Sequence, residues 1–272
     1  MVFLVLAAYY TKPEQSLAAL AEKLSGTQSG ELRAGAAWQA AMLAKIQLVK
    51  LEKAREAEVV QEEILQVPPS LRLANTIDFD ALQEQNPDVY AWITIPNTLV
   101  DYPILQHPTD DEYYLNHTID HAAGLPGSIY SEAIHPKDFT AANTILYGHN
   151  MKNDTMFGSL HDYENRDFFI EQPYVYIHLP ERTLVYEIFA AVTFQSVYLP
   201  YYLDFEEESD FLAYVDELRE SPGNVDLGMD IPFGSRLLTL HTCIGHDENH
   251  RYLVVASLIG EYSKIWYSNS EN

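Results

Sequence analysis

Eight short runs rich in β-branched and aromatic residues, each bounded by turn formers, divide the chain between residues 89 and 260. They are VYAWITI (89–95), TLVDYPIL (98–105), GSIYS (127–131), NTILYG (143–148), YVYIHL (174–179), TLVYEIFAAVTF (183–194), SRLLTLHT (235–242) and RYLVVASLIG (251–260). Only four short helical patterns accompany them, at 78–85, 110–116, 155–163 and 206–219. The last is the clearest, with Phe211, Leu212, Val215 and Leu218 three or four apart. A parallel α/β sheet needs a crossover helix for nearly every strand. So many strands with so few helices predict a mostly antiparallel barrel or sandwich.

The chain ahead of these runs has another period. Residues 14–24 read as a short helix with Leu17, Leu20 and Leu24 on one face, broken by SGTQSG at 25–30. Residues 31–66 read as a long helix that would reach about 50 Å. It stops at VPPS (67–70), where two prolines forbid continuation. Residues 13–75 are therefore expected to be a helical stalk or lead-in, 76–264 the working domain and 265–272 a tail. The opening MVFLVLAAYY is apolar throughout but shorter than the about 20 residues a spanning helix needs, and it lacks the positive start of a signal peptide. It reads either as the end of a membrane anchor, residues 1–12, or as a short buried helix end.

Charge narrows the partners. The formal net charge is −24, and residues 1–66 hold seven Lys/Arg against eight Glu, so nearly all of the excess lies in the working domain. Phosphate binding needs a basic surface, which disfavours a nucleic-acid role. An acidic body suits solubility first, and cationic or amine-bearing partners second. The single cysteine excludes an internal disulfide.

That cysteine, Cys243, follows the apolar run LLTLHT and precedes the polar IGHDENH. A thiol at a strand end sits at a rim that substrates reach, although a lone cysteine is more often a buried structural residue. Arg251 changes the balance. It lies where the chain re-enters a strand, so a turn between antiparallel neighbours would bring it beside Cys243. A guanidinium there can stabilise an oxyanion, the bland alternative being a surface ion pair. His149 ends a third run, ILYGH, where an imidazole can exchange protons near neutral pH. Together the three form a set for acyl transfer. Cys243 attacks a carbonyl, Arg251 stabilises the tetrahedral oxyanion, and His149 protonates the leaving amine. A rival reading is zinc: Cys243, His246 and His250 form C-x2-H-x3-H, with His241 nearby and Asp247 or Glu248 as a further ligand.

These residues resemble those of the class B sortases. TLHTC (239–243), LYGHNM (146–151) with NDTMFGSL (153–160), and RYLVVA (251–256) match that family's cysteine, histidine and arginine boxes in order and spacing. NPDVYAWITIPNTLVDYPILQ (86–106) and YYLNHTI (113–119) extend the likeness over roughly residues 78–260. The resemblance implies a mostly β fold: a closed eight-stranded sortase-type barrel with N-terminal helices and a helix, 206–219, in the long connection before the cysteine strand. It implies a cysteine transpeptidase on the outside of a Gram-positive cell, held in the membrane by its N-terminus. Such an enzyme cuts a C-terminal sorting signal, often of Asn-Pro-x-Thr type, after Thr. It holds the protein as a thioester, then passes it to an amine of a peptidoglycan precursor or, in pilus-building members, to a pilin lysine. No cofactor or metal is implied. Asn116 and Leu115 match the substrate groove, Thr242 and His241 flank the thiol, and Tyr201, Tyr202 and Leu203 fall on the groove-lining connection, where the match is loose. The chain departs from the family pattern at His241, where Ser is usual, and at GSIYSEA (127–133), which lacks the usual Phe and Asp. Its N-terminal helical region is also longer than in familiar members. A barrel that binds peptides without catalysis is the remaining alternative.

Overall fold

The strands join edge to edge until the sheet meets itself. They are β1 (Val89–Thr94), β2 (Asp101–Leu105), β3 (Ile129–Tyr130), β4 (Asn143–Tyr147), β5 (Tyr174–His178), β6 (Arg182–Gln195), β7 (Gly223–Val225), β8 (Leu237–Ile244) and β9 (Asp247–Ser263). The structure, a computed structural model, describes residues 67–264 apart from 197, 198, 203, 204 and 246 and the side chains of Pro200, Tyr201 and Glu248. The expected anchor and stalk within residues 1–66 and the tail at 265–272 lie outside the described residues. Eight strands close a ring in the order β1–β2–β3–β4–β8–β9–β6–β5, with β5 pairing back to β1. Every pairing is antiparallel except β2 with β3 and β4 with β8. The closed eight-stranded, mostly β barrel expected from the sequence is the fold.

β7 is an addition to the ring, paired only with Ala190–Val192 of β6. Gly223 permits it, because a Cβ there would lie 2.2 Å from the Ala191 carbonyl oxygen. Three α-helices are present among the described residues: α1 (Phe79–Gln85), α2 (Arg166–Glu171) and α3 (Glu208–Glu220). Asp78 caps α1 by accepting from the Ala81 amide, and Asn165 caps α2 by accepting from Asp167 and Phe168. The helices read at 110–116 and 155–163 shrink to 3-10 turns, Tyr113–Leu115 and Gly158–Glu164. In the second, Met156 stands at φ 56°, so no helix can run through it. In the first, the Tyr113 ring lies stacked between His107 and His117, at centroid distances of 4.5 and 4.0 Å.

Alternation along the strands sorts the core into two layers. Leu146, Leu238, Leu240, Tyr252, Val254 and Ala256 face the barrel interior, with Ile93, Ile104 and Ile177. Ile145, Leu237, Leu253 and Val255 face outward and are covered by Phe211, Tyr214, Val215 and Leu218 of α3. Strands buried on both faces read as continuous apolar runs, which is why 183–194 shows no alternation. Packing on the barrel begins at Val67, ahead of the expected boundary at residue 76. Val67 is buried with Tyr176, Val185 and Tyr262, and the Tyr262 hydroxyl both accepts from the Leu73 amide and donates to its carbonyl.

Candidate active site

Register alone brings three residues together. β4 and β8 run parallel with Tyr147 opposite His241, so two residues further on His149 comes level with Cys243. β8 and β9 are antiparallel with Cys243 opposite Arg251. The row His149–Cys243–Arg251 therefore runs from the segment just past β4 to β8 and β9, and neighbouring strands in a sheet lie about 4.8 Å apart. All three share the parity of Ile145, Leu237 and Leu253, so they face outward. Cys243 is exposed, while His149 and Arg251 are half-buried. It was expected just past a strand; it lies within β8, whose pairing with β9 continues through it. The polar stretch after it is a tight reversal, Ile244 pairing with Asp247, not a long loop.

The neighbours fix these side chains. His149 Nε2 donates to the Leu115 carbonyl at 2.7 Å; a carbonyl only accepts, so the proton is on Nε2, and Nδ1 is the basic nitrogen. Gly148 lets this segment pass close to the wall, since a Cβ there would lie 2.5 Å from Ile129 Cδ1 and 2.7 Å from the Phe157 ring. The loop beyond His149 folds straight back, with the Phe157 amide donating to the His149 carbonyl at 3.0 Å. Arg251 Nη1 donates to the carbonyls of His250 at 2.8 Å and Asp247 at 3.3 Å, which holds the guanidinium against its own turn.

The flanking residues divide. Thr242 does not face the thiol's side: it is buried, and its hydroxyl donates to the Gly148 carbonyl at 2.8 Å. Alternation turns it inward, so its expected place on the substrate face is corrected to a tie between β8 and the histidine segment. His241 does share the face of Cys243. It meets Tyr147 edge-on at 5.0 Å, and burial, then the Arg251 charge, pushes its imidazole down to about 4. His241 is thus neutral at physiological pH. Leu115 serves through its carbonyl, and Asn116 is exposed just past the 3-10 turn. Tyr202 stacks on Tyr214 of α3 at 4.4 Å and is half-buried. Leu203 and the Tyr201 side chain lie outside the described residues. Burial foremost, then Glu132, Glu112, Asp111 and Cys243, raise the Tyr130 phenol.

Two residues beside the site carried no role in the sequence reading. Asn150 Nδ2 donates to the Cys243 carbonyl at 3.0 Å, and His161 Nε2 lies 3.2 Å from the same oxygen. Asn150 could have been found from its place after His149. His161 is 82 residues from Cys243 in a 3-10 turn and leaves no pattern. Of the alternative zinc set, His246 and the Glu248 side chain lie outside the described residues, and His250 Nδ1 bonds Asp247 at 2.8 Å. Among the described residues no group of three His, Cys, Asp or Glu is placed to hold a metal ion.

Residues 93–259 match the family model described as Sortase domain. The chain is 33% identical to sortase B of Listeria monocytogenes over 162 residues, 60% of this chain and 65% of that protein, a little under two thirds of the relative's length. The crystal structure of Clostridium perfringens sortase B superposes with a TM-score of 0.60 at 30% identity, covering 66% of this chain and 99% of that one. A Staphylococcus aureus sortase B–substrate complex does so at 0.61 and 28%, covering 77% and 98%.

Proposed function

Because the chain belongs to the sortase family, class B, we propose that it is a cysteine transpeptidase that cuts a C-terminal sorting signal after Thr and transfers the protein to an amine. The observation that carries this reading is the row His149–Cys243–Arg251: Cys243 lies opposite Arg251 across β8 and β9, and His149 follows two residues after Tyr147, which lies opposite His241. The Cys243 sulfur attacks the Thr carbonyl carbon as its proton passes to His149. The oxyanion that forms is stabilised by Arg251. The C–N bond then breaks, His149 returns the proton to the departing amine, and Thr is held as a thioester. An incoming amine attacks that carbonyl, gives a proton to His149 and displaces the thiolate. No step calls for a metal or cofactor.

The amine is assigned to a peptidoglycan precursor, and the signal to the Asn-Pro-x-Thr type, on the family resemblance. The net charge of −24 suits a cationic acceptor of this kind. The family resemblance and the Gram-positive relatives support a reading in which the barrel lies outside the cell and the N-terminus anchors it. No helix among the described residues is long and apolar enough to cross a membrane. The test is a fluorescent peptide carrying such a signal, with and without an amine acceptor. Cleavage that stops on alkylation of Cys243, with a covalent peptide adduct on that residue, supports the reading. Cleavage that survives alkylation would sink it.

A further inference from the structure

Behind the outward-facing thiol lies a second set of polar groups that the reaction does not use. The β8–β9 register shifts between Cys243 and Ile244, so the ladder becomes irregular just where the sulfur is attached. The Cys243 carbonyl is met by a side chain: Asn150 Nδ2 donates to it at 3.0 Å. The same Nδ2 lies 2.9 Å from His161 Nε2, and His161 Nδ1 lies 2.7 Å from Glu164 Oε1. One proton arrangement serves the contacts of Asn150 and Glu164. A neutral His161 with its proton on Nδ1 donates to Glu164 and accepts on Nε2 from Asn150, whose second amide hydrogen goes to the Cys243 carbonyl. The 3.2 Å approach of Nε2 to that carbonyl is then two acceptors bridged by one amide. The His161 ring is held in plane by stacking on Tyr252, with centroids 4.6 Å apart and 18° between planes. Tyr252 stands opposite Thr242, one residue before Cys243 in β8.

We propose that Asn150, held by His161 and Glu164, is a positioning clamp that ties the backbone of Cys243 to the segment carrying His149 and so sets the separation of thiol and imidazole. Asn150 follows His149 directly, so one amide joins the two reacting segments across 93 residues of sequence. Asn150 and His161 meet Cys243 at its carbonyl oxygen, so the clamp acts through the backbone. Glu164 fixes the tautomer, the tautomer makes Nε2 an acceptor, and that acceptor orients the amide. The proposal rests on the transferase reading for its effect on turnover, but not for its effect on the thiol.

The test compares the full chain with Asn150→Ala, Asn150→Asp, His161→Ala and His161→Gln. Two readouts are used: steady-state cleavage of a sorting peptide, and the rate at which a small thiol reagent alkylates Cys243, which needs no substrate. Both alanine variants are expected to lose about tenfold in kcat with KM kept within about twofold, since a small displacement of reacting groups is felt in the chemical step. Their alkylation rates should move several-fold. Asn150→Asp should be at least as impaired, because it puts a carboxylate oxygen against Nε2 and the carbonyl. His161→Gln supplies an amide oxygen that can accept from Asn150 and should recover most of the loss. Wild-type kcat and alkylation in both alanine variants would overturn the clamp, as would a His161→Gln protein no better than His161→Ala. If an Asn150 variant does not fold, the His161 pair decides. If the unsubstituted protein cleaves no sorting peptide, the transferase reading fails, and the alkylation series still decides the clamp.

Discussion

The wall formed by β5, β6 and β9 and the rim where β4, β8 and β9 run out are made of the same kind of strand, yet they are held in opposite ways. Along the wall, β6 pairs with β9 from Arg182 to Gln195, and Val185, Tyr186 and Phe189 have no exposure. Backbone ladders and apolar contacts dominate there, although the β6–β9 register also shifts at Val185/Tyr186 and at Ile188/Ala190, and Glu261 lies 3.7 Å from Arg182. At the rim the ladder becomes irregular, and side chains hold the backbone: His149 to Leu115, Thr242 to Gly148, Asn150 to Cys243. Stability and chemistry therefore occupy different parts of one sheet. A rim side chain can change with little cost to folding, whereas a wall residue cannot, and each variant below tests that division.

The largest effects belong at the rim. Cys243→Ala should abolish cleavage and adduct formation, read by mass spectrometry, with the unfolding transition near that of the parent, because the side chain is exposed. His149→Ala and Arg251→Ala should each lower turnover by about 10²–10⁴. Arg251→Lys should restore only part, since an ammonium lacks the planar donor fork. Large losses of stability in these three would break the comparison.

A wall variant should do the reverse. Phe189 packs between β6 and α3, and Phe189→Ala should cost about 3–5 kcal/mol in denaturant unfolding. Turnover per folded molecule should hold. A fall in turnover at constant folded fraction would mean that the wall reaches the site.

Acid should find the scaffold next. Burial pushes the imidazoles of His135 and His178 down to about 4 from an ordinary value of 6.5. Between those values the unfolded chain binds the protons more readily, so stability is full above pH 6.5 and is lost as pH falls toward 4. Each contributes on the order of 2–3 kcal/mol to that loss. Both ring nitrogens of His135 lack a hydrogen-bond partner, so His135→Leu should flatten the curve of melting temperature against pH. An unchanged slope would show that His135 takes no part.

The smallest effect sharpens the boundary between the regions. His241 is neutral well above its value of about 4. His241→Ser should therefore shift peptide preference or KM while leaving the pH profile of Cys243 alkylation in place. A displacement by a full pH unit would make the imidazole part of the thiol's electrostatics.

The ring strands were legible because each is a short β-branched run between turn residues. β7 was not: Gly223, Asn224 and Val225 carry no strand signal and pair only because β6 offers an edge that glycine can approach. α2 was missed because six residues hold too few apolar positions to show a period, although Asn165 ahead of it is an N-cap signal. At the site, Cys243 and Arg251 were legible because a turn joins them, and His149 because it ends an apolar run. The Asn150–His161–Glu164 contacts were not, since they depend on where a 3-10 turn docks. Thr242 flanks the thiol in sequence but not in space, because adjacent strand residues point to opposite faces.

The irregular register past Cys243 has an engineering reading. Cys243 and Arg251 are matched from below by the continuous ladder of Leu237–Cys243 against Arg251–Ser257, and residues 248–250 have no opposite number in β8. The register of sulfur and guanidinium is therefore set below the hairpin tip, while the tip's own carbonyls, of Asp247 and His250, hold the guanidinium. Side chains can be exchanged there with the reacting pair left in place, so long as those two carbonyls keep their positions. The tip is a cassette of fixed backbone: a designer building chimeras can vary the side chains the rim presents while inheriting its chemistry.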